Sequence, residues 1–150
     1  LSFFIHITAC IFEHLTTKLF KNMTSNQSYI TEQHKENKSW LETLQFYKDE
    51  LKVLRNRLDE VASKNSAKEI KVQVSHFENQ LIINDEQLDE LNHAIKMNQA
   101  EIAQNIAENP VASDHRKVED HAALRDRFHT FEQIFKQLRN EMNEFVAKVL

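Results

Sequence analysis

Apolar residues recur at alternating steps of three and four along three stretches of this 150-residue chain. The first stripe is Ile30, Trp40, Leu44, Tyr47, Leu51, Leu54, Leu58 and Val61. The second is Ile70, Val74, Phe77, Leu81, Leu88, Leu91, Ile95 and Ile102, and the third Leu124, Phe128, Phe131, Phe135, Leu138, Met142, Phe145 and Val149. Steps of three and four return to one side of a helix of 3.6 residues per turn, so each stretch is an amphipathic helix. The stripes occupy the a and d positions of a heptad, the seam of helices packed at a shallow angle. The pattern predicts an all-α, elongated, antiparallel three-helix bundle, a coiled-coil-like rod, with helices over about 28–62, 66–108 and 113–149.

Two interruptions separate the stripes. Ser63-Lys64-Asn65-Ser66 breaks the first from the second, with Ser66 placed to cap the second helix. Asn109-Pro110 ends the second, because proline lacks the amide donor and clashes with the preceding turn. Ser113 or Asp114 then caps the third, where an acidic side chain suits the positive helix end. Both links are short, so neighbours are expected to run antiparallel. Helices of this size are roughly 50–65 Å long at about 1.5 Å per residue.

The seam is polar in places. Gln33, Asn37, Asn98, Asn105, Asp114, Lys117 and His121 fall in phase and are brought to one end of the rod when the hairpins fold. Two readings stand: a wet, fraying end, or a polar pocket or partner-docking end that uses Asn37, Asn98 and His121. Asn84 lies in phase near the middle of its helix. Either it is buried and fixes register, as a core asparagine does in coiled coils, or the helix rolls and exposes it.

Composition narrows the chemistry. The chain has no glycine and one proline. Phosphate-cradling loops need glycine for close backbone approach, so P-loop and Rossmann folds are excluded. The net charge is −4 with basic and acidic residues interspersed, unlike a nucleic-acid-binding face. The single cysteine, Cys10, excludes an intrachain disulfide.

Residues 1–22 differ from the rest in composition: Phe3, Phe4, Ile5, Ile7, Ile11 and Phe12 crowd them, and Met23 opens a polar stretch. The expectation is that residues 1–22 are a non-native or upstream-translated segment and that 23–150 form the three-helix domain. A membrane span is not expected, since Glu13 and His14 interrupt the apolar run well short of about 20 residues. No basic region precedes Phe3 as in a signal peptide. Ile7-Thr8-Ala9-Cys10 resembles a bacterial lipoprotein box, which gives an alternative in which Cys10 carries a lipid. A short packed amphipathic helix is the remaining alternative.

Eight histidines invite a metal reading. Glu90-Leu91-Asn92-His93 has the spacing of carboxylate-bridged di-iron bundles, and Asp126-Arg127-Phe128-His129 nearly repeats it, with His34 at a similar height. Their phases oppose a site. His93 falls at f, His129 at b and His34 at e, so they surround the rod rather than converge. His115 and Glu119 match one spacing of a hemerythrin-like ligand set, whose accompanying histidine pair is missing. His121 alone sits squarely in the seam. No serine has a base and acid placed beside it, so no triad is supported. No cofactor is expected.

Phe46, Val53, Ile82 and Ile83 are apolar outside the seam and near one another in height, which marks them as an interface for self-association. The motifs resemble no family closely enough to name. The expected function is a non-enzymatic helical interaction protein in the cytoplasm, a homo-oligomer with an unknown protein partner and no nucleic-acid partner. The alternatives are a metal- or ligand-binding bundle at the polar end and a lipid-anchored envelope protein.

Overall fold

The computed structural model describes the backbone of residues 2–108 and 115–150, and the side chains of 17, 29–104, 107 and 120–150. The chain is three helices, α1 (Ser2–Lys64), α2 (Lys68–Glu108) and α3 (His115–Val149), with no strand among the described residues. α1 begins far ahead of the start near residue 28 that its apolar stripe suggests. No glycine or proline lies anywhere within it to stop the helix.

The α1–α2 link is Asn65–Ala67. Asn65 closes α1 twice over: its backbone amide donates to the Val61 carbonyl at 3.1 Å and its Nδ2 to the same oxygen at 2.9 Å. A helix end leaves carbonyls without partners, and Asn65 satisfies one of them. The turn needs no glycine, since no described residue has a positive φ. The first α2 bond runs from the Lys71 amide to the Ala67 carbonyl, so the cap position is Ala67, one residue after the expected Ser66. Asn109, Pro110, Ser113 and Asp114 lie outside the described residues.

Interhelical contacts fix the directions. Asn37 meets Asn98, and Lys48 and Arg55 meet Asp85, so α1 and α2 run oppositely. Glu36 meets Arg125, Tyr47 meets Glu132 and Arg57 meets Asn143, so α3 runs along α1. The core is the three stripes. Every stripe residue is buried except Ile30, Ile70, Phe145 and Val149 near the ends, which are half-buried. Its centre is aromatic: Tyr47 and Phe135 lie 4.4 Å apart between ring centroids, with Phe131 beside both. Asn84 is buried, at 1% exposure, so the helix does not roll it outward.

Candidate functional site

The polar end of the seam is a hydrogen-bonded interior, flanked by the partly exposed Glu36 and Arg125. Asn37 from α1, Asn98 from α2 and His121 from α3 occupy core positions at one level, and Asn37 and His121 have no solvent exposure. Asn37 Nδ2 donates to Asn98 Oδ1 at 2.8 Å, and His121 Nδ1 faces that same oxygen at 3.1 Å. On the other side of the ring, His121 Nε2 lies 2.7 Å from Glu36 Oε2. Arg125 grips Glu36 with two bonds, Nε to Oε1 at 3.0 Å and Nη2 to Oε2 at 2.7 Å. Trp40 stacks on the His121 ring at 5.2 Å and on Phe128 at 5.3 Å. One turn nearer the N terminus, the buried Gln33 donates to the Tyr29 hydroxyl.

The electrostatics follow from these contacts. The Arg125 guanidinium holds the Glu36 carboxyl below its ordinary range, with the His121 hydrogen bond adding to the effect against the cost of burial. Glu36 is therefore an anion that only accepts hydrogen bonds. Asn37 Oδ1 is buried without a partner. Such a cluster links three helices at one level. The sequence stripes locate Asn37, Trp40, Asn98 and His121 but not Glu36 or Arg125. Glu36 at the g position and Arg125 at e are the flanking pair of a heptad, and that is the signal that finds them.

The histidine–carboxylate positions behave differently. His34, Glu90, His93, Asp126 and His129 are all exposed. Glu90 and Asp126 share the α2–α3 groove with Arg127 and Thr130, while His34 lines a separate groove between α1 and α2. Among the described residues, no group of three or more histidine, cysteine or acidic side chains is placed to hold a metal ion. The side chains of Cys10, His115 and Glu119 lie outside the described set.

The three flanks of the bundle are not alike. Between α1 and α2, Lys48 pairs with Asp85 at 2.6 Å and Asp89 at 2.8 Å, and Arg55 with Asp85 at 2.9 Å. Between α1 and α3 run the Glu36–Arg125 pair, the Tyr47–Glu132 hydrogen bond, the Glu50–Arg139 pair and the Arg57–Asn143 bond. Burial, followed by the Glu132 hydrogen bond, pushes the Tyr47 phenol up to about 12. From Leu124 onward, no ion pair or side-chain hydrogen bond crosses from α3 to α2 among the described residues. That flank holds instead an open groove of about 380 Å³ lined by Leu91, Phe131 and Ile134, among others.

Phe46, Val53, Ile82 and Ile83 are exposed, at 44–60%, but sit on three flanks. The pairs above put the g side of α1 against α3, the e side of α2 against α1 and the g side of α2 against α3. Phe46 and Val53, at c, flank the α1–α3 groove. Ile82, at b, lines the α1–α2 groove beside Arg55 and Glu78. Ile83, at c, edges the α2–α3 groove. They do not form one continuous patch.

No protein family, curated protein or solved structure matches the chain. Among the described residues, no helix is long and apolar enough to cross a membrane.

Proposed function

We propose that the protein is a non-enzymatic helical interaction protein, cytoplasmic and self-associating, whose docking face is the α2–α3 flank. One observation carries this reading. The two grooves along α1 are bridged by charged and polar links, whereas α2 and α3 meet without one from Leu124 onward, beside exposed Ile83, Met97 and Ile134. Ile83 and Ile134 fall within about one helical turn of each other in height, judging from the Asn98–His121 and Phe77–Phe145 contacts. A helix laid along this groove removes these side chains from water, at about 25 cal/mol per Å² of apolar surface. The groove is long enough for a second copy to lie side by side and approach the ~1,000 Å² that a specific interface requires.

Sedimentation of the full chain tests the proposal. A dimer that dissociates on combined Ile83→Glu and Ile134→Glu, with helicity kept, supports it. A monomer at tens of micromolar, or a dimer indifferent to both changes, contradicts it.

A second reading, ligand binding near the polar end, has its own support. An open groove of about 750 Å³ runs between α1 and α2, with Ile30, Ile102, Ala100 and Ala103 along it and His34, Lys96 and Gln99 at its edge. Its apolar lining and cationic edge suit an amphipathic carboxylate. Saturable binding of a long-chain fatty acid, weakened by Lys96→Glu, supports this reading, and absence of such binding ends it.

A further inference from the structure

Hydrogen-bond direction in the polar end is set by how many protons His121 carries. Asn98 Oδ1 accepts from Asn37 Nδ2 and faces His121 Nδ1. An oxygen cannot donate, so Nδ1 must bear a proton. On the far side of the ring Nε2 faces the Glu36 carboxylate, which also only accepts, so Nε2 bears one too. This arrangement suits an imidazolium, with the Trp40 face against the cation.

A second arrangement fits the same atoms. Rotating both asparagine amides by half a turn puts Asn98 Nδ2 between Asn37 Oδ1 and His121 Nδ1. It then donates one hydrogen to each, and the ring is neutral with its remaining proton on Nε2. One atom of Asn37 is without a partner in either arrangement: Oδ1 in the first, as observed, and Nδ2 in the second. The two therefore differ mainly in the direction of the chain and in one proton, which passes between Nδ1 and solvent. Such near balance is what a two-state element requires.

We propose that Asn37, Asn98 and His121 form a proton-operated switch, in which gain or loss of the His121 Nδ1 proton reverses the hydrogen bonds linking the three helices. Among the described residues, the groups acting on the ring come from every helix around it. α1 supplies Glu36, and Tyr29 acts on Arg125. α2 supplies Asn98, which is uncharged. α3 supplies Arg125, itself influenced by Asp126. Glu36 stays an anion throughout, because Arg125 holds it so, and it keeps the Nε2 proton in place in both states. The switch therefore works at Nδ1 alone and changes the charge of the cluster by one.

The test is nitrogen NMR of histidine-labelled full chain, together with asparagine side-chain signals, between pH 5 and 9, a span chosen to include the histidine range. His121 Nδ1 is expected to change protonation while Nε2 keeps its proton. The Asn98 amide protons and the emission of Trp40, the only tryptophan, are expected to follow with the same midpoint. In Asn98→Asp an acceptor-only carboxylate faces Nδ1, and the imidazolium is expected to persist to about one pH unit higher or more. Asn98 signals that stay still while His121 titrates would overturn the proposal. So would a Nδ1 that never changes state in this range, or a folded Asn98→Asp with an unmoved midpoint. The parent chain decides the matter by itself if that variant does not fold.

Discussion

The flanks along α1 and the flank between α2 and α3 are made from the same heptad, yet they are finished differently. Lys48, Arg55, Glu36 and Glu50 each reach from α1 to a partner of opposite charge on a neighbour. On the α2–α3 side Glu90, Asp126 and Arg127 line a groove that no ion pair crosses among the described residues. α1 thus serves as the spine to which both other helices are tied. Exposed links of this kind contribute little each, about 0–1 kcal/mol. Their collective effect is specificity: they say which helix faces sit together and where, and they cover the apolar seam. From Leu124 onward the α2–α3 flank has no such link among the described residues and is edged by exposed Ile134 and Ile83, so another helix meets least obstruction there.

The largest expected effect is at the Glu36 cluster. Arg125→Glu removes two bonds and sets a second carboxylate beside a partly buried one. It is expected to cost about 2 kcal/mol in urea denaturation, discounted for the exposure of both side chains. Arg127→Glu on the open flank is expected to change stability by less than about 0.5 kcal/mol. Equal costs would break the comparison.

Two asparagines of the seam, Asn98 and Asn84, give the next contrast. Asn98 ties three helices together, whereas Asn84 Nδ2 reaches only the Gln80 carbonyl of its own helix and its Oδ1 has no partner. Leaving a buried carbonyl bare costs about 1–3 kcal/mol, so Asn84→Leu is expected to stabilise by about 1 kcal/mol. Asn98→Leu strands Asn37 and His121 and is expected to destabilise by a similar amount. Denaturation midpoints of the pair check both signs.

Acid sensitivity also belongs to the linked flanks. Arg125 lowers Glu36 from an ordinary 4.5, and Lys48 and Arg55 lower Asp85 from 3.8 against the opposing effect of burial. Burial likewise raises Glu132, but hydrogen bonds from Tyr47 and Lys136 outweigh it and leave it below 4.5. A depressed carboxyl stabilises the fold above its unfolded value, and that contribution is lost as pH falls through its folded value. Stability is therefore expected to fall as pH drops below about 4.5, and Glu36→Gln is expected to make the fall shallower. An unchanged acid limb in that variant would detach Glu36 from the folded state's proton balance.

The smallest effect is expected at Ile134. Ile134→Ser should leave the stability of the dissociated chain within about 0.5 kcal/mol, since the side chain is 44% exposed. A larger loss in dilute solution would place Ile134 in the core and close the flank.

The fold was legible because one period governs the chain. Steps of three and four found the core, and the four stripe residues that remain half-buried all lie near stripe ends, where helices lose neighbours. The α1 start was not legible from that stripe, because the stripe marks only where a face is apolar and no glycine or proline marks a boundary ahead of it. The polar end was legible in part. Phase located Asn37, Asn98 and His121, but phase concerns only the seam. Glu36 and Arg125 stand beside it and reach across, and the stack of Trp40 on His121 depends on rotamers that spacing does not encode. The surface apolar residues misled for a related reason. Height alone grouped Phe46 with Ile82, and the side of each helix that meets its neighbour then separated them.

The docking flank is tested most directly by methyl NMR of the full chain in a dilution series from millimolar to micromolar. Signals of Ile83, Met97 and Ile134 are expected to shift together with concentration, while those of Val53 and Ile82 stay fixed. Shifts at Val53 or Ile82 with a silent Ile134, or no concentration dependence at any of them, would contradict the account.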